Sequence, residues 1–209
     1  MGVTEIIAMA ASFSLLAGWR LYAAVLVAGL AMRFDILPLP EQLDSLAVLE
    51  NPWIIGAAAV GAVAEFLADK VPWVDSAWDA IHTLVRPLGG ALLALAIVDP
   101  GEPVWQVVTL LLGGGSALLS HGAKASARAA VNMSPEPVSN VVMSSAEDVA
   151  TTSALLIALA NPVVALIIVL LLLALTVGVF LALRRFMKDV GAVFTPHGNA
   201  PGEKEPPPG

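Results

Sequence analysis

The chain has 209 residues, of which 58% are hydrophobic and 13% are charged, and it contains no cysteine. Soluble domains carry roughly one-quarter charged residues, so this composition indicates an integral membrane protein. The lack of cysteine excludes disulfides, thiolate metal sites and a cysteine nucleophile, and the net charge of −7 argues against nucleic acid as a partner. The length allows about six spans of roughly 20 residues each in one domain.

The first apolar run covers residues 4–32 and is interrupted by Gly18-Trp19-Arg20. An arginine in the middle of a span costs several kcal/mol unless it meets a partner or water. We therefore expect Arg20 to point into the protein. The alternative is that Gly18 separates two short helices and Arg20 extends to the membrane surface. Residues 33–52 mix prolines and acids and are expected to form a loop with one interfacial turn.

The second span is predicted over residues 53–69 and ends in an acidic cluster. Small residues share one face of this span and would let another helix approach closely: Ala57, Gly61, Ala64 and Ala68. Pro72 separates it from a third helix, which should begin near Asp75 and end at Val98. A kink is expected at Pro87, which Gly89 and Gly90 follow.

The segment 65–86 holds an unusual concentration of charge between two apolar runs, starting with Glu65 and Asp69. If residues 74–86 are helical, four polar side chains fall at i, i+4, i+7 and i+11: Asp75, Asp79, His82 and Arg86. These positions lie on one face of a helix. The pattern predicts a polar site inside the membrane domain.

The fourth span begins at Val104 and continues to about residue 131, with Lys124 and Arg128 near its end. Ser134 is a candidate N-cap for the fifth helix, with Pro135 at its first position. That helix is too polar to face lipid over about half of its circumference, because of Asn140, Ser144, Glu147, Asp148 and Thr151. Residues 163–183 form the sixth span. We take residues 1–190 as one helical membrane domain and residues 191–209 as a disordered Pro/Gly-rich tail.

The basic residues near the span ends predict the topology. In a six-span arrangement, most of them fall on one side: Lys70, Lys124, Arg128, Arg184, Arg185 and Lys188. Because basic residues are enriched on the cytoplasmic side, both termini should be cytoplasmic. The chain would cross the membrane several times. Trp53, Trp73, Trp78 and Trp105 lie near predicted span ends, as interfacial tryptophans do.

A weak internal repeat relates the two halves of the chain. Gly18-Trp19-Arg20 resembles Gly122-Ala123-Lys124, and Ala64-Glu65 resembles Ala146-Glu147. Two halves of three spans each would have opposite orientations, which is a common plan among transporters with a site between the halves. The sequence therefore predicts a 3+3 inverted repeat.

Four blocks of the sequence resemble a known family. They are E-F-L-A-D-K-V-P-W-V-D-S-A-W-D (65–79), R-P-L-G-G-A-L-L-A (86–94), H-G-A-K-A-S-A-R-A-A-V-N-M-S-P-E-P-V-S-N (121–140) and A-E-D-V (146–149). The chain resembles, over residues 10–183, the bacterial membrane family catalogued as domain of unknown function (DUF) 4126. The resemblance implies a bacterial membrane protein, so the expected location is the bacterial inner membrane, and it implies no catalytic residue.

The candidate site combines acidic, basic and polar side chains of the first five spans. Its members are Arg20, Glu65, Asp69, Asp75, Asp79, His82, Arg86, Lys124, Arg128, Asn140, Glu147 and Asp148. Intramembrane charge points to function by default, and buried carboxylates and histidines can load and release protons. The alternative is that these groups only form ion pairs that hold the helices together.

These residues favour a small transporter or channel for an ion or a small charged solute, acting through a polar site in the cytoplasmic half of the membrane domain, with proton coupling as one option. Two alternatives stay open, a lipid-phosphate binder or flippase using the basic residues, and a scaffold without catalysis. Asp75 and Asp79 could also hold a hard cation such as Mg²⁺. No catalytic motif is present, so we expect neither enzyme activity nor a cofactor. The expected partners are the lipid bilayer and the solute, and association into a homo-oligomer stays open.

Overall fold

The computed structural model describes residues 3–36, 41–98, 101–132 and 137–194, and over these ranges the regular structure is entirely helical. The predicted all-α class is confirmed. The elements are α1 (Val3–Arg33), a 3₁₀ segment (Glu41–Glu50), α2 (Pro52–Ala68), α3 (Pro72–Val98), α4 (Pro103–Asn132), α5 (Pro137–Ala160) and α6 (Pro162–Phe194).

Three helices of the described chain are long and apolar enough to cross a membrane, over Thr4–Arg33, Pro72–Val98 and Pro103–Arg128. Helix α2 (Pro52–Ala68) and the segment Val163–Leu175 of α6 are apolar but shorter. Large apolar side chains such as Leu84, Leu111 and Leu171 are exposed along the helices. Such a surface is stable in lipid, not in water, so the fold is that of a polytopic membrane protein.

Proline marks where the helices start. Helices α2 to α6 each begin at a proline, which suits a first turn because the fixed φ is helical and its missing N–H has no helical partner there. Asparagine precedes two of these prolines. Asn51 Oδ1 accepts from the amide of Trp53 at 2.9 Å, and Asn161 Oδ1 accepts from Val163 at 3.0 Å and Val164 at 3.2 Å. These side chains cap α2 and α6.

The cap on α6 gives a simple stability prediction. Replacing Asn161 by alanine removes the acceptor for two backbone amides and should destabilise the protein by about 1 kcal/mol. Asn161→Asp keeps an acceptor at the same place and should stay close to the wild type. Thermal unfolding of both variants in the same detergent measures the difference. Equal stability of the alanine and aspartate variants would contradict the capping role.

Helix α1 lies at the centre of the molecule and contacts every other helix and the 3₁₀ segment. Its helical backbone is interrupted at Arg20, where φ is −144° and ψ is 78°. The carbonyl of Trp19 accepts a hydrogen bond from Lys124 Nζ at 3.2 Å. The side chain of Arg20 is 2% exposed. Both sequence expectations for this region are therefore partly right: the helix is interrupted beside Gly18, and Arg20 points inward.

Glycines allow α1, α3 and α4 to pack closely. A Cβ on Gly18 would run into the backbone of Ala117, and a Cβ on Gly113 would come within 2.5 Å of the Ala94 methyl. The small face predicted on α2 is only partly a packing face, because Ala57 is exposed while Ala68 is buried. Gly61 of α2 does pack closely, against the ring of Tyr22.

Other local expectations need correction. Helix α3 begins at Pro72, three residues before the expected start, and runs through Pro87 to Val98 as one α-helix, so the kink at Pro87 stays a prediction. The presumed loop over 33–52 contains the 3₁₀ segment, whose Leu46 and Leu49 are buried against α1. Residues 191–194 belong to α6 and not to the tail. The proposed N-cap Ser134 and the residues after 194 lie outside the described chain.

Candidate functional site

The charged residues singled out in the sequence meet in one place. Ion pairs join ten side chains from α1, α3, α4, α5 and the end of α2. We call this set the charge cluster: Arg20, Glu65, Asp69, Asp75, Asp79, Arg86, Lys124, Arg128, Glu147 and Asp148. Nine of the ten residues are buried, and the Asp148 side chain is 32% exposed.

Glu65 lies close to three cations of the charge cluster. Its Oε1 lies 2.6 Å from Arg86 Nη2, 3.4 Å from Lys124 Nζ and 4.0 Å from Arg20 Nη1. Arg86 also contacts Asp79 Oδ1 at 3.3 Å. The polar face of α3 that the spacing predicted is thus turned inward, where Arg86 contacts Glu65 of α2.

Asp69 joins α1, α2 and α4 just beyond the end of α2. Its Oδ2 lies 2.6 Å from Arg20 Nη1 and 3.0 Å from Arg128 Nη2. Burial by itself would raise the pKa of Asp69, but the charges of Lys124, Arg20 and Arg128 outweigh burial and hold this pKa below its ordinary value. Asp69 is therefore a fixed anion at neutral pH.

Helix α5 supplies the remaining carboxylates. Glu147 Oε2 lies 3.5 Å from Arg20 Nη2, 3.7 Å from Arg128 Nε and 4.0 Å from Lys124 Nζ. Asp148 Oδ1 is 3.2 Å from Arg20 Nε. The polar side of α5 predicted from its sequence thus faces the charge cluster.

Two histidines flank the charge cluster, and their partners assign the tautomers. His82 Nδ1 is 2.7 Å from the carbonyl of Trp78, which can only accept, so Nδ1 carries the proton and Nε2 accepts from the Tyr22 hydroxyl at 3.0 Å. His121 is the reverse case. Its Nε2 faces the carbonyl of Asp79 at 3.1 Å, and its Nδ1 accepts from Arg86. Arginine cannot accept a hydrogen bond, so this arrangement requires neutral His121.

A polar cavity of about 270 Å³ lies beside the charge cluster, between α3 and α4. Its walls carry Asp75, Ser76, Asp79, Thr83 and Arg128, and the remaining lining residues are alanines. Ser76 and Thr83 are exposed, whereas Asp75 and Asp79 are buried. The cavity therefore leads from the protein surface to two carboxylates of the charge cluster.

Eleven of the twelve candidate site residues lie in or next to the charge cluster, His82 being the one outside the ion pairs. The side chain of Asn140 is not among those that the structure describes. Among the residues that the structure describes, no three His, Asp or Glu side chains are placed so that they could hold a metal ion together. Trp78 was expected at an interface, yet its ring stacks on His82 with centroids 4.3 Å apart.

Three polar residues at the charge cluster were not predicted from the sequence as members of the site. His121 shares one face of α4 with Lys124 and Arg128 at i, i+3 and i+7, so helical spacing could have found it. Lys70 Nζ donates to Ser144 Oγ at 2.8 Å at the edge of the charge cluster. Tyr22 carries no such signal, because its neighbours in α1 are apolar and only the fold places it against His82.

The helical fold, the exposed apolar surface and the buried charge cluster define a polytopic membrane protein with a polar interior. The family model described as "Domain of unknown function (DUF4126)" matches residues 7–182. The chain belongs to this family, as its sequence blocks indicated. No solved structure matches the chain significantly.

Proposed function

We propose that the protein is a small transporter or channel that moves a cation or protons through the charge cluster, without catalysing a reaction. The observation that carries this proposal is the excess of buried carboxylates. Among the described residues, the charge cluster holds five buried carboxylates and four buried cations, and with the partly exposed Asp148 and Lys70 counted as well the carboxylates still outnumber the cations by one. Uncompensated negative charge inside a protein favours binding of a proton or another cation.

The connectivity of the ion pairs supports a path through the protein. From the cavity, Asp79 contacts Arg86 at 3.3 Å, and Arg86 contacts Glu65 at 2.6 Å. The contacts continue through Lys124, Glu147 and Arg20 to the partly exposed Asp148. The charge cluster thus reaches the surface at the cavity and again at α5.

The meeting of the repeated residues supports an inverted-repeat mechanism. Lys124 Nζ lies 3.4 Å from Glu65 and 4.0 Å from Glu147, and Arg20 lies 3.5 Å from Glu147 and 4.0 Å from Glu65. Each repeated cation therefore contacts both repeated glutamates. Together with the interrupted α1, this fits a site between two halves that rock against each other. In this proposal the protein lies in the bacterial inner membrane with both termini in the cytoplasm.

The ion pairs and the cavity argue against the two alternative functions, a lipid-phosphate binder or flippase and a scaffold. A phosphate binder needs basic groups that are open to an anion, yet Arg20, Arg86 and Arg128 each lie within 3.0 Å of a carboxylate oxygen. Lys124 has a carboxylate at 3.4 Å. A scaffold would need no cavity beside its ion pairs, and here the cavity opens onto Asp75 and Asp79.

Flux into proteoliposomes tests the proposal. Purified protein is sealed into vesicles with a pH-sensitive dye inside, and protons, monovalent cations and divalent cations are offered outside in turn. We expect the wild type to carry at least one of these ions, and Asp79→Asn and Glu147→Gln to reduce the flux at least tenfold. Both variants should fold, because Arg86 keeps Glu65 and each cation near Glu147 keeps another carboxylate.

Asp35→Asn is the matched control for these variants. It makes the same chemical change at an exposed residue whose φ of 47° suits asparagine as well as aspartate, so the flux should be unchanged. Absence of ion flux with folded wild-type protein would refute the proposal. Wild-type flux in both Asp79→Asn and Glu147→Gln would show that the ion does not pass through the charge cluster.

A further inference from the structure

A long apolar groove lies at the opposite end of the bundle from the charge cluster. It has a volume of about 700 Å³ and is formed by the start of α1, the end of α3 and the first half of α4. Small side chains such as Ala11, Ala94 and Gly113 leave room for it. Within the described part of the chain, these three helices are long and apolar enough to cross a membrane. The groove therefore opens sideways into the hydrocarbon of the bilayer.

The length of the groove fits one lipid chain. It extends along α4 from Trp105 to Ser116, about 16 Å at the rise of an α-helix. One leaflet of the hydrocarbon core is about 15 Å thick. Trp105 is 59% exposed at the outer end of the groove, which is where an interfacial tryptophan meets the lipid headgroups. At the inner end, the Ser14 hydroxyl is already satisfied by the carbonyl of Gly90 at 3.0 Å.

The charge at the mouth selects the headgroup. Among the described residues that line the groove, Glu102 is the single charged side chain, and it is exposed beside Trp105. A carboxylate at this position attracts an ammonium group and repels an anionic headgroup. We propose that the groove binds one acyl chain of a phospholipid whose headgroup carries an amine, such as phosphatidylethanolamine. This site is separate from the proposed ion path, and either proposal can fail without the other.

Lipid retention on the full chain tests the proposal. The purified protein is stripped of lipid in detergent, offered phosphatidylethanolamine or phosphatidylglycerol with identical acyl chains, and analysed by native mass spectrometry. We expect one phosphatidylethanolamine per chain and at least tenfold weaker retention of phosphatidylglycerol. Ala11→Phe fills the groove and should reduce retention at least tenfold. Glu102→Gln should remove the preference between the two lipids while a lipid still binds.

Ala57→Phe is the matched control, because it adds the same ring to an exposed position on α2 and should retain lipid like the wild type. Equal retention by Ala11→Phe and Ala57→Phe would overturn the proposal, and so would a preference for phosphatidylglycerol. The chain has no cysteine, so Leu112→Cys at the groove provides a unique thiol. Efficient disulfide cross-linking of two such chains in vesicles would show that a second copy covers the groove, and would also overturn the lipid proposal.

Discussion

Neutralising Glu65 should have the largest effect on stability of any single change in the charge cluster. In Glu65→Gln, Arg86 loses its 2.6 Å partner and keeps Asp79 at 3.3 Å, and the nearest carboxylate left to Lys124 is Glu147 at 4.0 Å. Removing one partner of a buried ion pair costs about 3–5 kcal/mol, and here two buried cations lose their nearest carboxylate at once. Thermal or denaturant unfolding in detergent, followed by circular dichroism, measures the loss.

Two further variants show whether this loss of stability arises from the lost ion pairs of Glu65. Asp35→Asn removes an exposed carboxylate and should change the free energy of unfolding by less than about 0.5 kcal/mol. Adding Lys124→Met to Glu65→Gln removes a cation that has lost its nearest carboxylate. The double variant should therefore lose about 0.5–3 kcal/mol less stability than the sum of the losses in the two single variants. Strict additivity would mean that Glu65 and Lys124 do not interact.

The second large effect is expected at Gly18, where α1 and α4 meet. A methyl group at Gly18 would collide with the carbonyl oxygen of Ala117, and backbone cannot turn aside as a flexible side chain can. Gly18→Ala should therefore separate the two helices and destabilise the protein by about 1–3 kcal/mol. The ion flux should fall as well, since Arg20 and Lys124 lie within two turns of this contact.

Gly115 provides the opposite result in the same helix pair. An added Cβ at Gly115 of α4 meets no atom within 4 Å, and alanine is better than glycine in a helix by about 1 kcal/mol. Gly115→Ala should therefore be neutral or stabilising in the same unfolding assay. Similar changes in stability for Gly18→Ala and Gly115→Ala would contradict the idea that close packing against Ala117 excludes a side chain at position 18.

Together these variants separate the architecture from the proposed activity. Glu65 and Gly18 act on the stability of the bundle, whereas Asp79→Asn and Glu147→Gln neutralise carboxylates whose cations keep other partners. Loss of flux in the second pair without loss of stability would assign those carboxylates to ion movement. Loss of stability in all four would instead indicate that the charge cluster serves to hold the helices together.

The sequence by itself determined the features that depend on local chemistry. Hydropathy predicted the membrane class and the helices, including α6 from its apolar run, and helical spacing predicted one polar face of α3 from Asp75 to Arg86. The family was also readable from short blocks of residues. Each of these signals comes from residues within a few turns of one another.

Only the tertiary structure decided which charges meet. Glu65 pairs with Arg86 and Lys124, which lie 21 and 59 residues away, and no spacing within one helix specifies such partners. The interruption at Arg20 lies where α1 meets charged side chains of other helices, and the apolar groove is lined by residues of three different helices. Contacts between helices depend on how whole faces pack, so the ion-pair partners and both proposed sites required the fold.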